Sequence, residues 1–592
     1  MNRHDSEIDD AGRGLVERPS RRTFVKGVAL AGVSASLGWT NGAAAQMPAT
    51  RRPGQALSGT SFDLAIGETA INITGRRRIA TTVNGSVPAP TLRWREGDTV
   101  TLRVRNELGL GGGDTSIHWH GILLPANMDG VPGLSFHGIR PGETYTYRFH
   151  VKQAGTYWYH SHSGFQEQSG LYGPLLIDPR EPAPFRYDRE HVILLSDWTD
   201  EDPRRMFRKL KKQSDYYNFH QRTVRDFAAD VRRQGWRRTL DDRRMWGGMR
   251  MSPTDLADVS GSTYTYLMNG MPPAGNWTGV FAPGERVRLR LINGSAMTYF
   301  DVRIPGLKMT VVAADGQYVH PVTIDECRIA VAETLDVIVE PTGQDAFTVL
   351  AQAMDRTGYA AGTLAVREGL RAAVPEPDRR PLLSMVDMGM AHGGTSHDAG
   401  SHAGHDMSAM AKPPNVATSQ AHPATERGNP LVDNQAMAPR SRLDDPGVGL
   451  RDNGRRVLTY ADLRSLFEDP DGREPTRAIE LHLTGHMERF AWSFNGEPFA
   501  EAEPLRLTYG ERLRIVLVND TMMAHPIHLH GMWSDLEDDS GAFHLRKHTV
   551  DMPPGTKRSY RVRADALGRW AYHCHLLLHM EAGMFREVRV EE

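Results

Sequence analysis

Near its C-terminus the chain reads His573-Cys574-His575, with His579 and then Met584 following the cysteine at steps of five. Cys574 is one of only 2 cysteines in 592 residues. A thiolate, imidazoles and a weak axial thioether form the ligand set of a blue-copper electron-transfer site, which copper favours through ligand softness and geometry. His573 and His575 are surplus to such a site. Three further His-X-His pairs occur, His118-Trp119-His120, His160-Ser161-His162 and His528-Leu529-His530. With 25 histidines in 592 residues, chance supplies about one such pair, so four make a pattern.

The spacing belongs to strands. Side chains at i and i+2 leave a strand on one face and i+1 on the other. His573 and His575 therefore point one way and Cys574 the opposite way. His525, three before His528, has the other parity from His528 and His530. Cys574, His525 and His579 can meet on one side, and four histidine pairs on the other. Eight imidazoles exceed what one metal with open positions needs and suit three.

An internal repeat supplies the strands. Asn84-Gly85, Asn269-Gly270 and Asn495-Gly496 each precede a segment that runs from glycine to asparagine: Gly97–Asn106, Gly284–Asn293 and Gly510–Asn519. Val, Leu and Ile alternate within these segments, as in half-buried strands bounded by turns. Gly155-Thr-Tyr-Trp-Tyr-His160-Ser-His162 also aligns with Gly568-Arg-Trp-Ala-Tyr-His573-Cys-His575. The reading is an all-β chain of three β-sandwich domains, 57–180, 190–370 and 456–592. The middle one lacks histidine pairs and serves as a spacer. Two insertions interrupt the pattern. Residues 204–250 are arginine-rich, with Val224, Phe227 and Val231 at helical spacing, and read as a helical excursion with a basic solvated face. Residues 371–455 are Pro/Gly/Ala-rich without periodicity and read as a flexible Met/His-rich linker.

Charge is balanced, 70 Lys+Arg against 72 Asp+Glu, so no global field recruits nucleic acid or a membrane surface. Ser20-Arg21-Arg22-Thr23-Phe24-Val25-Lys26 opens a mildly apolar run ending at Ala43-Ala44-Ala45. This matches a twin-arginine export signal over residues 1–45, with a mature start near Gln46 in the bacterial periplasm. The apolar run from Val25 to Trp39 falls short of the roughly 20 residues a membrane span needs. A disulfide between Cys327 and Cys574 would waste the thiolate, leaving Cys327 as a lone buried thiol. A monomer is expected.

The four motifs, His118-Trp119-His120-Gly121, His160-Ser161-His162, His525-Pro526-Ile527-His528-Leu529-His530-Gly531 and His573-Cys574-His575 with His579 and Met584, resemble those of three-domain multicopper oxidases. The resemblance covers the whole mature chain and implies cupredoxin-like Greek-key sandwiches holding four coppers. It implies a type 1 copper on His525, Cys574, His579 and axial Met584, and a type 2 copper on His118 and His528. A type 3 pair then sits on His120, His160, His162, His530, His573 and His575. The implied reaction is one-electron oxidation of a reductant at type 1 copper, passage of electrons through Cys574 into His573 and His575, and reduction of O2 to water. Ser161 stands where Cys574 stands in the third domain, so the first has no blue-copper site of its own. Asp129, before Gly130, is either a turn aspartate or the acid this family places beside its type 2 copper. Many relatives carry a second acid after the His-Cys-His. Here Leu576, Leu577 and Leu578 follow, leaving Glu581 as a weak candidate.

The linker carries Met385, Met388, Met390, His392, His397, His402, His405, Met407 and Met410, a soft thioether and imidazole set that suits extra copper. Met522, Met523, Met532 and Met580 lie near the type 1 ligands in sequence, either as core filler or as copper contacts. Together with the export signal, this resembles the periplasmic copper-resistance (CopA/PcoA-type) oxidases. That subgroup implies oxidation of Cu(I) to Cu(II), with O2 as acceptor. A laccase-like oxidase of small phenols and a copper-sequestering protein are the alternatives.

Overall fold

The computed structural model describes residues 56–109, 111–390 and 420–592. Residues 1–45, with the expected export signal, lie outside these, as do His392, His397, His402, His405, Met407 and Met410. Among the described residues no helix is long and apolar enough to cross a membrane.

Alternation does the folding. In Thr99–Asn106 the side chains of Val100, Leu102 and Val104 are buried while Thr99, Arg103 and Arg105 face out. The repeated strand pairs in parallel with Ser61–Asn72 in the first unit and with Ala478–His486 in the third. Asn495 and Gly496 take φ of 55° and 73°, the left-handed pair that a tight hairpin requires. The asparagine closing each repeat is buried and ties down the loop beyond it. Asn519 donates to the carbonyls of Met523 and Met552 at 2.8 and 2.7 Å, and Asn106 and Asn293 do the same in their own units.

Six sheets result. The first unit pairs a five-stranded sheet, ending in Gly155–His160 and His118–His120, with a four-stranded one. The second and third each pair a six-stranded with a five-stranded sheet, in the same strand order. That order matches His525–Leu529 to Phe300–Arg303, and Gly568–Cys574 to Ala346–Ala353. The middle unit thus keeps the scaffold with apolar and other side chains where the third carries its histidines.

Between the strands Arg189–Trp198 and Thr265–Met268 lie three helices, Pro203–Leu210, Val224–Gln234 and Trp236–Gly248. Thr223 and Asp226 form a capping box at the second. The Val224–Phe227–Val231 spacing does make a helix, yet no residue of it is buried. The described parts of 371–455 contain no strand but are packed. Met388, Ala436, Leu443 and Leu450 are buried, and Met385 and Met390 lie against the core. This corrects the expectation that methionines of an aperiodic segment stay out of the core. An irregular cover can bury apolar groups without any repeat, because its backbone bonds to neighbours, as Ala438 does to Gly389.

Candidate metal centre

Two pairs of strands from opposite ends of the chain present the histidines. His118–His120 runs antiparallel to Gly155–His160, with His118 opposite His160. His525–Leu529 runs antiparallel to Gly568–Cys574, with His528 opposite His573 and Ile527 opposite Cys574. The two pairs face each other. His118 stacks on His530 and His120 on His528, both with ring centroids 3.9 Å apart. His162 lies 5.0 Å from His573, and His160 lies 4.9 Å from His575. Gly531, after His530, has φ of 73° and touches the Trp570 ring so closely that a Cβ would lie 2.4 Å from it. That contact accounts for the glycine closing the motif.

Five of the rings are aimed by a nitrogen that does not face the centre. His118 donates from Nδ1 to the Asp129 carbonyl at 2.9 Å, and His573 to the Cys574 carbonyl at 2.9 Å. His530 Nδ1 meets Asp129 Oδ2 at 2.8 Å. His160 Nδ1 meets Glu167 Oε2 at 2.6 Å. His120 is reversed, with Nε2 within 3.3 Å of Thr549 Oγ1. The outcome is a set of buried nitrogens without partners: Nε2 of His118, His160 and His528, Nδ1 of His120 and both of His575. Nε2 of His573 lies 3.0 Å from that of His530 and 3.3 Å from that of His162. Orphaned buried nitrogens are costly unless something binds them.

Burial, then the charge of neighbouring rings, pushes His120, His162, His528, His530 and His575 well below the ordinary imidazole value. Burial brings His573 down to about 4. Neutral imidazole is the form that binds a metal.

On the other face of the Cys574 strand a second group forms. Cys574 Sγ is 3.5 Å from His525 Nδ1 and 3.9 Å from His579 Nδ1, and the two nitrogens are 3.1 Å apart. Met584 is fully buried, and its carbonyl accepts from Cys574 N–H at 3.1 Å. His525 Nε2 is engaged by Thr521 Oγ1 at 2.7 Å, and His579 Nε2 by Asp258 Oδ2 at 2.7 Å. Burial pushes the Cys574 thiol well up, so a thiolate there needs a cation beside it. The donor set fits copper: imidazole and thiolate on one face, imidazole alone on the other. Met522, Met523 and Met532 are buried in the core, Met522 also at the wall of a cavity. Cys327 is free and buried.

The sequence leaves Asp129 open between two readings and gives no sign of two further residues, Glu167 and Asp258. Asp129 is a buried carboxylate held between His118 and His530, more than a turn residue. Glu167 is buried with Oε1 unpartnered, beside a cavity of about 10 Å³ lined also by His160, His162, His573 and His575. Met580 lines that cavity and Glu581 does not. Asp258, buried at the wall of a cavity of about 470 Å³ with Asp255, Asp355 and His220, reaches the Cys574 group through His579. Burial pushes all three of these aspartic acids up, Asp258 to about 7. No motif marks Glu167 or Asp258. Only their placement in the folded chain does.

Three family models described as multicopper oxidase match residues 65–182, 189–369 and 472–592. The chain is 65% identical to "Copper resistance protein A" of Escherichia coli, over 98% of this chain and 100% of that one. It is likewise 65% identical to the protein of that name from Pseudomonas syringae pv. tomato, over 98% and 100%. Among solved structures, that of Fet3p, "a Multicopper Oxidase that Functions in Iron Import", aligns with a TM-score of 0.62 at 19% identity, covering 90% of this chain and 91% of that one, and shows the shared cupredoxin-like fold. With the family's sequence in all three units and a histidine–cysteine array suited to its metal, the chain belongs to the multicopper oxidases, oxidoreductases built around four copper ions.

Proposed function

We propose that this oxidase takes its electrons from Cu(I), releasing Cu(II), and serves copper resistance in the bacterial periplasm. The type 1 copper is assigned to His525, Cys574, His579 and Met584, the type 2 copper to His118 and His528, and the type 3 pair to His120, His160, His162, His530, His573 and His575. When bound, these ions supply one-electron oxidation of the reductant and four-electron reduction of O2 to water. The chain's own residues hold, orient and protonate. Cys574 follows His573 on its strand and precedes His575 just past the strand's end, so the two ligand groups are joined by covalent bonds and cannot drift apart. Asp129 fixes His118 and His530, and Glu167 stands as the proton donor beside His160. The assigned domains are 57–180, 190–370 and 456–592, with the exported chain a monomer starting near Gln46.

One observation carries the choice of substrate: Asp258 contacts His579 from the wall of a cavity that also holds Asp255 and Asp355. Three desolvated carboxyl groups cost free energy that an arriving cation offsets and a neutral phenol does not. The export signal and the "Copper resistance protein A" relatives agree with this reading. A laccase-like reading draws on the cavity's size, since about 470 Å³ accommodates a small phenol.

Steady-state O2 uptake by the copper-loaded protein, Cu(I) against a catechol, decides between them. Faster turnover of Cu(I) at equal concentration is expected. Efficient catechol turnover in the presence of a Cu(I) chelator, with no response to Cu(I), would sink the proposal. Absence of O2 uptake with either would favour sequestration.

A further inference from the structure

A second group of histidines and carboxylates lies apart from the oxidase ligands. His422 stands at the start of the described segment that follows the Met/His-rich tract. Glu426 ends the short turn Ala424–Glu426, His482 lies on the strand Ala478–His486, and Asp520 directly follows the strand Arg512–Asn519. Glu426, His482 and Asp520 are buried, and the His422 side chain is nine-tenths so.

Their donor atoms converge. His422 Nδ1 is 3.2 Å from Glu426 Oε2 and 3.5 Å from Asp520 Oδ2. His482 Nδ1 is 2.6 Å from Asp520 Oδ2 and 3.5 Å from Glu426 Oε1. Ligands held about 2.1 Å from a tetrahedral metal lie roughly 3.4 Å from one another, close to three of these four separations. The fourth, at 2.6 Å, is a hydrogen bond between His482 and Asp520.

Hydrogen bonds from outside the cluster position His482, Glu426 and Asp520, whereas His422 Nε2 is buried without a partner. His482 Nε2 donates to Glu480 Oε1 at 3.2 Å, and Glu480 is held by Lys557 Nζ and Gln420 Nε2, both at 2.8 Å. This carboxylate–histidine arrangement fixes Nδ1 as the ligating nitrogen, as outer-shell partners do in metal sites. Gln435 Nε2 donates to Glu426 Oε2 at 2.9 Å, and Ala436 N–H to Asp520 Oδ1 at 2.7 Å. Glu426 Oε1 remains, buried and without a hydrogen-bond partner. Its one close contact is His482 Nδ1 at 3.5 Å, beyond good hydrogen-bond range and at the spacing of two ligands on one ion.

We propose that His422, His482, Glu426 and Asp520 form a binding site for a divalent copper ion, additional to the four of the oxidase and independent of which reductant the enzyme uses. Two imidazoles and two carboxylates without sulfur disfavour Cu(I), and among divalent first-row ions such a set binds Cu(II) most tightly. In sequence the site lies between the Met/His-rich tract and the Cys574 group. Asp520 precedes Thr521, whose Oγ1 engages His525 Nε2 at 2.7 Å, and His422 follows the Met/His-rich tract.

The test adds Cu(II) to the four-copper holoenzyme, removes excess and counts copper by mass spectrometry, with electron paramagnetic resonance to read nitrogen hyperfine structure. Against Glu426→Gln and His422→Asn, the unaltered protein should retain one more copper, with an added signal from a tetragonal nitrogen–oxygen site. Glu480→Gln should still bind, about 10–100-fold more weakly, because it only orients His482. Copper on the Met/His-rich tract is common to all forms and cancels in the difference. Retained blue absorption certifies folding. Should a buried substitution abolish it, His422→Asn, at the edge of the cluster, carries the comparison. Equal copper content and identical spectra for the unaltered protein and the folded variants overturn the proposal.

Discussion

His579 Nε2 and Asp258 Oδ2 share a hydrogen bond of 2.7 Å, a contact between residues 321 positions apart. That bond orients the ring, leaving Nδ1 of His579 to face Cys574 and His525. It also makes Asp258 a through-bond step from the acidic cavity to the Cys574 group. Asp258→Asn should retain the blue absorption yet lower kcat/KM for Cu(I) by about 10–100-fold, the usual cost of losing an outer-shell partner. Catechol oxidation should fall less. An unchanged Cu(I) kcat/KM would remove Asp258 from the entry path.

Glu167 makes the corresponding case at the other ligand group. Its carboxyl meets His160 Nδ1 at 2.6 Å while Oε1, buried and unpartnered, adjoins a cavity with room for one water. Glu167→Gln keeps the size and a hydrogen-bonding group but cannot donate a carboxyl proton. It should lower kcat by about 10²-fold with KM for the reductant and copper content unchanged. A drop in copper content at constant kcat per copper would mean that Glu167 only positions His160.

The two histidine-bearing groups were legible because their motifs are local. An i, i+2 histidine spacing and a cysteine of opposite parity determine faces as soon as the segment is a strand. Register then did what sequence could not, setting His528 against His573 and His118 against His160. Asp258 and Glu167 were invisible for the opposite reason. Neither belongs to a repeat, and each acquires its partner through packing between distant segments. The leucines after His575 leave that segment without a carboxylate at the small cavity, and Glu167 of the first unit lines it instead. Met388 misled because burial beneath an irregular cover leaves no periodic trace.

Acid should expose a weak point in the middle unit. Burial pushes the Asp301 carboxyl up, but Arg328 and Arg356 outweigh it and hold the group below its ordinary 3.8. Arg328 binds it with two hydrogen bonds, at 2.7 and 2.9 Å. A carboxyl depressed in the folded state contributes stability that is complete above its unfolded value and lost as pH falls through the folded one. Melting temperature should therefore be flat with respect to this group near neutrality and decline below about pH 4. Asp301→Asn leaves two buried guanidinium groups short of a counter-charge and should cost about 3–5 kcal/mol at pH 7. Thermal unfolding between pH 7 and 3 checks both. A variant as stable as the parent at pH 7 would contradict the assigned role.

Met388 separates two roles that the linker composition merges. The residue is fully buried, and the segment around it is tied to the third unit, with Lys557 N–H donating to the Arg440 carbonyl at 2.8 Å. Met388→Ala should cost about 2–5 kcal/mol, as large-to-small core changes do. Copper binding should be unchanged, because a core thioether enclosed by protein is no open ligand. Deleting 391–419, which contains His392, His397, His402, His405, Met407 and Met410, should do the reverse. Melting temperature and blue absorption stay, while kcat/KM for Cu(I) falls at low concentrations of the ion. If Met388→Ala instead lowers copper stoichiometry without loss of stability, Met388 is a ligand and its burial belongs to the copper-free state alone.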